Sequence, residues 1–261
     1  MCGAGRLPSV EGMNTSDVAI VTGASRGLGR ALAGSLAAAG YQLIIDARNG
    51  EALCAAAAEL RARHDLPADR VLALPGDITD AGHRADLAAT ATRLGGASLL
   101  VNNAGTLGVS PLPALADYPV ADLLASFEVN VIAPIALTQL VLPDLRRLGG
   151  GVLSITSDAA VEAYAGWGGY GAAKAALEQA SHILSAEEPA VRVWWVDPGD
   201  LRTEMHQQAY PGEDISDRPL PETVMPAFLR LVAERMPSGR YRAAELMPVR
   251  EAAAAPAGSS R

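Results

Sequence analysis

Cysteine is nearly absent: the 261 residues include only Cys2 and Cys54, too few for a disulfide framework or a cysteine-based zinc cluster. Positive charge is scarce too, with 21 Lys and Arg against 29 Asp and Glu and a formal net charge of -8. That balance argues against a nucleic-acid coat or an anionic membrane surface as partner. No uninterrupted apolar run reaches the roughly 18 residues of a membrane span. No basic n-region followed by an apolar h-region opens the chain, so no secretory signal is expected. What is present is 49% apolar and 19% charged residues. A chain of this length buries roughly three-quarters of its unfolded surface. The expectation is a soluble, cytoplasmic protein with no metal, nucleic acid or membrane among its partners.

Residues 1–16 carry no periodicity and are expected to be a disordered leader, with Met13 as a candidate start. Residues 251–261, made largely of Ala, Pro, Gly and Ser, are expected to be a floppy tail. Between them, short apolar runs alternate with Ala- and Leu-rich stretches of helical period. Strands are expected at Asp17–Thr22, Tyr41–Asp46, Val71–Gly76, Leu99–Asn102, Gly151–Thr156 and Val191–Val196. Helices are expected at Gly27–Ala39, Gly50–His64, Ala81–Leu94, Val120–Leu148 and Gly168–Glu187. Short apolar strands separated by helices indicate a parallel sheet covered on both faces. Right-handed crossovers make it a Rossmann-like, doubly wound α/β fold. No interior linker or fixed repeat appears, so residues 17–250 are read as one domain. After Val196 the rhythm breaks into a stretch rich in Pro, Gly, Asp and His. It leaves the end of a strand where open sheets bind ligands, so residues 200–221 are read as a substrate lid. A helix at Pro221–Met236 and a short strand at Arg240–Leu246 are expected to close the domain.

The first strand runs into Thr22-Gly23-Ala24-Ser25-Arg26-Gly27-Leu28-Gly29 and then a helix. Glycines allow the tight turn and let a pyrophosphate approach the backbone, and the new helix offers free N–H groups and its positive dipole end. Between the first strand and the first helix of an alternating chain, this signals a dinucleotide site. Gly23-Ala24-Ser25-Arg26-Gly27 also matches the G-x-S-x-G nucleophile elbow of hydrolases, with His182 and His206 as candidate bases. A hydrolase would place several strands before its elbow, whereas this turn follows the first.

The second strand ends Ile45-Asp46-Ala47-Arg48-Asn49. Arg48 offers a planar, charge-assisted fork for a ribose 2′-phosphate, and Arg26 could serve the same group. Asp46 points the other way, because an acidic residue here can hold a ribose 2′-hydroxyl. Two arginines against one aspartate favour NADP(H) over NAD(H).

Tyr170 and Lys174 are four residues apart on an expected helix and therefore share a face. A free tyrosine titrates near pH 10, and a neighbouring ammonium favours the phenolate, which makes the pair a competent acid or base. Ser157 follows the fifth expected strand, thirteen residues before Tyr170. Asn102-Asn103-Ala104-Gly105 ends the fourth strand, and Pro198-Gly199-Asp200-Leu201-Arg202-Thr203 follows the sixth. Each taken alone has a plain structural reading as a turn, a cap or a satisfied polar group.

Together these residues resemble the classical short-chain dehydrogenase/reductase family, in its NADP-preferring carbonyl reductase type, over about Val18–Leu246. Thr22, Gly23, Ser25, Arg26, Gly27, Leu28 and Gly29 fit its TGxxxGxG turn. Asp77, followed by Ile78, fits the acid that holds the adenine. Asn103, Ala104 and Gly105 belong to an NNAG match, and Pro198, Gly199, Leu201 and Thr203 to a PGxxxT match. Asn130, Ser157, Tyr170 and Lys174 fit the catalytic tetrad. Arg48 resembles NADP-using members, whose NAD-using relatives carry an aspartate where Ala47 stands here.

The resemblance implies a mechanism. Hydride passes from NADPH to a carbonyl carbon while Tyr170 gives the proton to its oxygen. Ser157 positions that oxygen, Lys174 lowers the tyrosine pKa and binds the nicotinamide ribose, and Asn130 anchors a relay water. The substrate pocket is expected to draw on Tyr164, Trp167, Met205, His206 and Tyr210, which suits a medium-sized, cyclic or aromatic ketone or aldehyde. The chain departs from the family at Ser98, at Trp194-Trp195 and at Asp197. Its end, Gly239-Arg240-Tyr241-Arg242-Ala243-Ala244, also lacks the family's usual closing strand ending in Asp-Gly-Gly, a region that helps build tetramers, so a homodimer stands beside a homotetramer as the expected assembly. The alternative class is a non-catalytic NADP-binding sensor or scaffold on the same fold.

Overall fold

The computed structural model describes residues Asp17–Met247; the expected leader and tail, and residues 248–250, lie outside the described residues. Strands β1 (Val18–Val21), β2 (Gln42–Ala47) and β3 (Val71–Pro75) are followed by helices α1 (Gly27–Ala38), α2 (Gly50–Arg63) and α3 (Ala81–Arg93) respectively. Next come β4 (Ala97–Asn102), α4 (Val120–Phe127), α5 (Ala133–Leu148), β5 (Gly151–Ile155), α6 (Gly168–Glu187) and β6 (Arg192–Asp197). Three short helices and a strand follow: α7 (Glu204–Ala209), α8 (Met225–Ala233), β7 (Gly239–Arg242) and α9 (Ala243–Leu246). The seven strands form one sheet in the order β3-β2-β1-β4-β5-β6-β7. Every pairing is parallel. The order reverses between β1 and β4, which opens a crevice at the carboxyl ends of the central strands.

Strand alternation sorts the core into two layers. Val21, Ile45, Val101 and Val196 face α1, α2 and α8. Ile20, Ile44, Leu100 and Val193 face the other side, where Leu87 of α3 and Leu137 and Val141 of α5 cover them. The parity places Asp46 with Ile44, on the α3 side.

Four details depart from the sequence reading. The helix expected over Val120–Leu148 is continuous but passes through a π turn at Glu128–Ile132. An 18-residue window in it has a mean hydropathy of 1.7, so by length and composition it could span a membrane. Asp122, Glu128 and Asp144 interrupt each apolar run, which hides this from a search for uninterrupted runs. In the fold, Leu137, Val141 and Leu145 pack onto the sheet while Ile132, Leu140 and Leu148 stay exposed. The expected helix at Pro221–Met236 is a 3-10 turn, Pro221–Val224, followed by α8. The expected strand at Arg240–Leu246 stops at Arg242, because Ala243 and Leu246, three apart, turn into the core as α9. The segment 200–221 carries α7, and its base is tied by the Arg202 N–H donating to the Pro219 carbonyl at 2.8 Å.

Candidate active site

A cleft of about 920 Å³ runs along the carboxyl edge of the sheet. Along it lies the turn between β1 and α1. Gly23 has φ +66°, and a Cβ there would lie 2.8 Å from Ala104 Cα, so only glycine fits. Thr22 is buried behind the turn, where its Oγ1 accepts from the Asn103 and Ala104 N–H groups at 3.0 Å each. The Asn103 side chain donates to the Thr22 carbonyl at 2.8 Å. These bonds lock the turn after β1 to the loop after β4. Gly27, Leu28, Gly29 and Gly105 line the cleft, whereas Thr22 and Ser25 do not.

At the ends of β2 and β3 the cleft meets Arg48, Asp77 and Ile78. Arg48 is exposed and makes no hydrogen bond or ion pair among the described residues. Asp77 accepts from Thr79 N–H and Oγ1 at 2.9 and 2.8 Å, and those bonds hold its carboxyl below the usual range. Asp46 is only 1% exposed. Its Oδ1 accepts from the Gly23 N–H at 2.8 Å and its Oδ2 meets His83 Nε2 at 3.2 Å. The aspartate that argued for NAD is therefore consumed inside the fold. Arg26 pairs with Glu204 of α7, across the cleft mouth, instead of standing beside Arg48.

At the centre stand Ser157, just after β5, and Tyr170 and Lys174 on one face of α6. Lys174 is buried, donates to the Ile155 carbonyl at 2.8 Å, and lies 5.5 Å from the Tyr170 ring centroid. Burial alone brings Lys174 down to about 8. The expected lowering of Tyr170 is not what the protein groups produce. Burial first, then the negative charges of Asp158 and Asp197, push its hydroxyl above the ordinary tyrosine range, against a hydrogen bond with Ser157. Asn130 is fully buried in the π turn. Its Oδ1 accepts from Thr106 N–H at 3.1 Å, and its Nδ2 donates to the Thr106 carbonyl at 2.9 Å and Ser126 Oγ at 3.1 Å. Its side chain is thus committed to the loop that carries Gly105.

The substrate side is apolar and aromatic. Trp167 packs edge-on against Tyr170 at 5.8 Å between centroids and lies 6.2 Å from Tyr210, which is 5.0 Å from His206. Met205 packs against Leu107, Ala159 and Tyr170. Tyr164 is 47% exposed at the rim, and Pro198, Gly199, Leu201 and Thr203 line the floor towards α7.

Two site residues escaped the sequence reading. Asp158 accepts from Ser157 Oγ at 2.9 Å and from the Tyr164 hydroxyl at 3.0 Å; its position beside Ser157 was the available signal. Arg240 of β7 donates to the Ser157 carbonyl at 3.2 Å and to Glu178 at 3.0 Å, a contact across the sheet with no local signature. Lys174 is the only lysine in the chain, a count that by itself marks the position.

The sequence matches the family model for short chain dehydrogenase over residues 17–214. It is 39% identical to the sepiapterin reductase of Meriones unguiculatus over 207 residues, covering 74% of this chain and 77% of that protein. It is 34% identical over 193 residues to the 7alpha-hydroxysteroid dehydrogenase of Escherichia coli (strain K12), 71% of each chain. The structure of an alcohol dehydrogenase from the archaeon Thermococcus sibiricus, complexed with 5-hydroxy-NADP, aligns with a TM-score of 0.76 at 27% identity, over 87% of this chain and 95% of that one. The chain therefore belongs to the short-chain dehydrogenase family, NAD(P)-dependent oxidoreductases that act between CH–OH and C=O groups.

Proposed function

We propose that this protein transfers a hydride between NADP(H) and the carbonyl or secondary alcohol of a small or medium-sized substrate of cyclic or aromatic kind. The observation that carries the reading is a single cleft. It joins Ser157, Tyr170 and Lys174, past the glycine turn after β1, to Arg48 at the end of β2, which makes no hydrogen bond or ion pair among the described residues. The residues fit the dinucleotide. The α1 N-terminus and the turn after β1 suit a pyrophosphate, Asp77 and Ile78 suit the adenine, and Arg48 suits a 2′-phosphate. Asn103, Ala104, Gly105, Pro198, Gly199, Leu201 and Thr203 would flank the remainder.

Bound NADPH supplies the hydride. Tyr170, whose surroundings favour the protonated phenol, holds the proton that passes to the carbonyl oxygen, and Ser157 orients that oxygen. Lys174 has ammonium donors left for ribose hydroxyls after its bond to Ile155. Asn130 positions the Thr106 loop beneath them. Trp167, Met205, His206 and Tyr210 exclude water and shape the pocket, with Tyr164 at its rim and segment 200–221 as the lid. No observation favours the non-catalytic sensor reading. The reading includes a cytoplasmic homo-oligomer, a dimer or tetramer, the assembly supported by exposed Ile132 in the π turn, Leu140 on α5 and Ile183 on α6.

The test is to titrate the protein with NADPH and then NADH, following energy transfer from Trp167, Trp194 and Trp195. NADPH binding at least tenfold tighter, about 1.4 kcal/mol, is expected. Preference for NADH would remove the NADP assignment, and binding of neither would remove the cofactor site.

A further inference from the structure

The Asp46–His83 pair takes no part in the hydride chemistry, yet it joins the three segments that build the adenosine end of the cleft. Asp46 ends β2, and its two oxygens reach the glycine turn after β1 and the imidazole of α3. Both side chains are deeply buried, Asp46 at 2% exposure and His83 at 9%. Asp80 caps α3 by accepting from the His83 N–H at 2.7 Å, which fixes where the ring starts. The ring then lies against Gly76, where any Cβ would collide with it, and Gly76 and Asp77 form the cleft wall beside Arg48.

We propose that His83 is a specificity-determining positioning residue: it retains Asp46 inside the fold, away from the ribose, and sets a titratable positive charge behind the 2′-phosphate position. This role rests on the NADP reading above. Its physical content is a charge balance. With His83 protonated, the buried Asp46 carboxylate is neutralised, and a phosphate at Arg48 meets a wall one unit more positive than with His83 neutral. With His83 neutral, its Nε2–H still bonds Asp46, but the carboxylate charge is uncompensated and repels the phosphate. A 2′-hydroxyl senses far less of either state.

The groups facing His83 are Asp46 near the end of β2, Asp77 from the loop after β3, and Asp80 and Asp86 on α3 itself, with Arg48 reaching it only through Asp77. The positive end of α3 and burial disfavour its charge. The hydrogen bond to Asp46, followed by the Asp46, Asp86 and Asp80 charges, outweighs them, so its pKa lies above the ordinary 6.5. The positive charge is present below that raised value and is lost as pH rises through it.

The experiment measures NADPH and NADH affinities for the wild type, His83→Gln and Asp46→Asn between about pH 5.5 and pH 9.5. A glutamine amide can still donate to Asp46 but carries no charge. Ionisation of the 2′-phosphate in the free nucleotide is common to wild type and variant and cancels in their ratio. At about pH 6 the wild type should bind NADPH roughly three- to tenfold tighter than His83→Gln, and the ratio should approach one near pH 9.5. NADH affinities should stay equal throughout. Asp46→Asn, which keeps an acceptor for Gly23, should tighten NADPH at the alkaline end and serves if His83→Gln does not fold. A wild-type preference for NADPH, with variant ratios flat in pH or with NADH affected equally, would overturn the role of His83 and leave the NADP reading standing. A wild type with no NADPH preference would overturn both.

Discussion

Ser157 donates its hydroxyl hydrogen to the Asp158 carboxylate at 2.9 Å, and the same carboxylate accepts the Tyr164 hydroxyl at 3.0 Å. The serine proposed to hold a substrate oxygen is thus bonded to a negative charge, and that charge also disfavours the Tyr170 phenolate. The Asp158 charge keeps the proton on Tyr170, the form that carbonyl reduction uses, against the opposing hydrogen bond with Ser157.

Asp158→Asn should therefore ease phenolate formation. In alcohol oxidation the ascending limb of the pH–rate profile should move to lower pH by about one unit, raising the rate near neutrality up to roughly tenfold. Profiles that superimpose would show that Asp158 does not act on Tyr170.

Lys174 can be read directly because the chain contains no other lysine. Reductive methylation with ¹³C-formaldehyde labels Lys174 and the α-amine, and the signal absent from Lys174→Met should titrate near 8, well below the ordinary 10.5. Below pH 8 the fold carries the full cost of burying the ammonium. Between pH 8 and 10.5 the folded state releases the proton while the unfolded chain keeps it, so stability rises with pH. Lys174→Met should accordingly raise the Tm by roughly 4–8 °C at neutral pH, about 2 kcal/mol. The gap should narrow above pH 8. A Tm that falls, or a gap that widens with pH, would contradict this.

Arg48 and Arg26 should separate in a binding assay. Arg48→Ala should weaken NADPH at least roughly tenfold and NADH hardly at all, since a charge-assisted phosphate contact is lost. Arg26, already paired with Glu204 of α7, should affect both nucleotides alike when replaced by Ala. Equal losses for Arg48→Ala would remove it from the 2′-phosphate.

The sheet was legible because each central strand is a short apolar run bounded by a turn, and α6 followed from its periodic pattern with matching ends. The convergence of Ser157, Tyr170 and Lys174 was legible too: strand ends and helical spacing are local properties. The fate of Asp46 was only half legible. Alternation with Ile44 placed it on the α3 side, but its partner His83 lies 37 residues further along the chain. The Arg26–Glu204 pair spans 178 residues and had no local sign. The π turn at Glu128–Ile132 was hidden because no glycine or proline within it marks a change of helix. The upward push on Tyr170 depends on burial and on Asp197, brought in from β6, and neither can be read from a Tyr-x-x-x-Lys spacing.

The most direct test of the account compares wild type and Tyr170→Phe in two assays: NADPH affinity by fluorescence, and NADPH consumption with carbonyl substrates by absorbance. Removing one hydroxyl leaves the ring packed between Trp167 and Lys174. NADPH affinity should therefore stay within about twofold, while turnover falls by roughly a thousandfold or more, the scale of a lost general acid. Turnover retained by Tyr170→Phe would contradict the proposed chemistry.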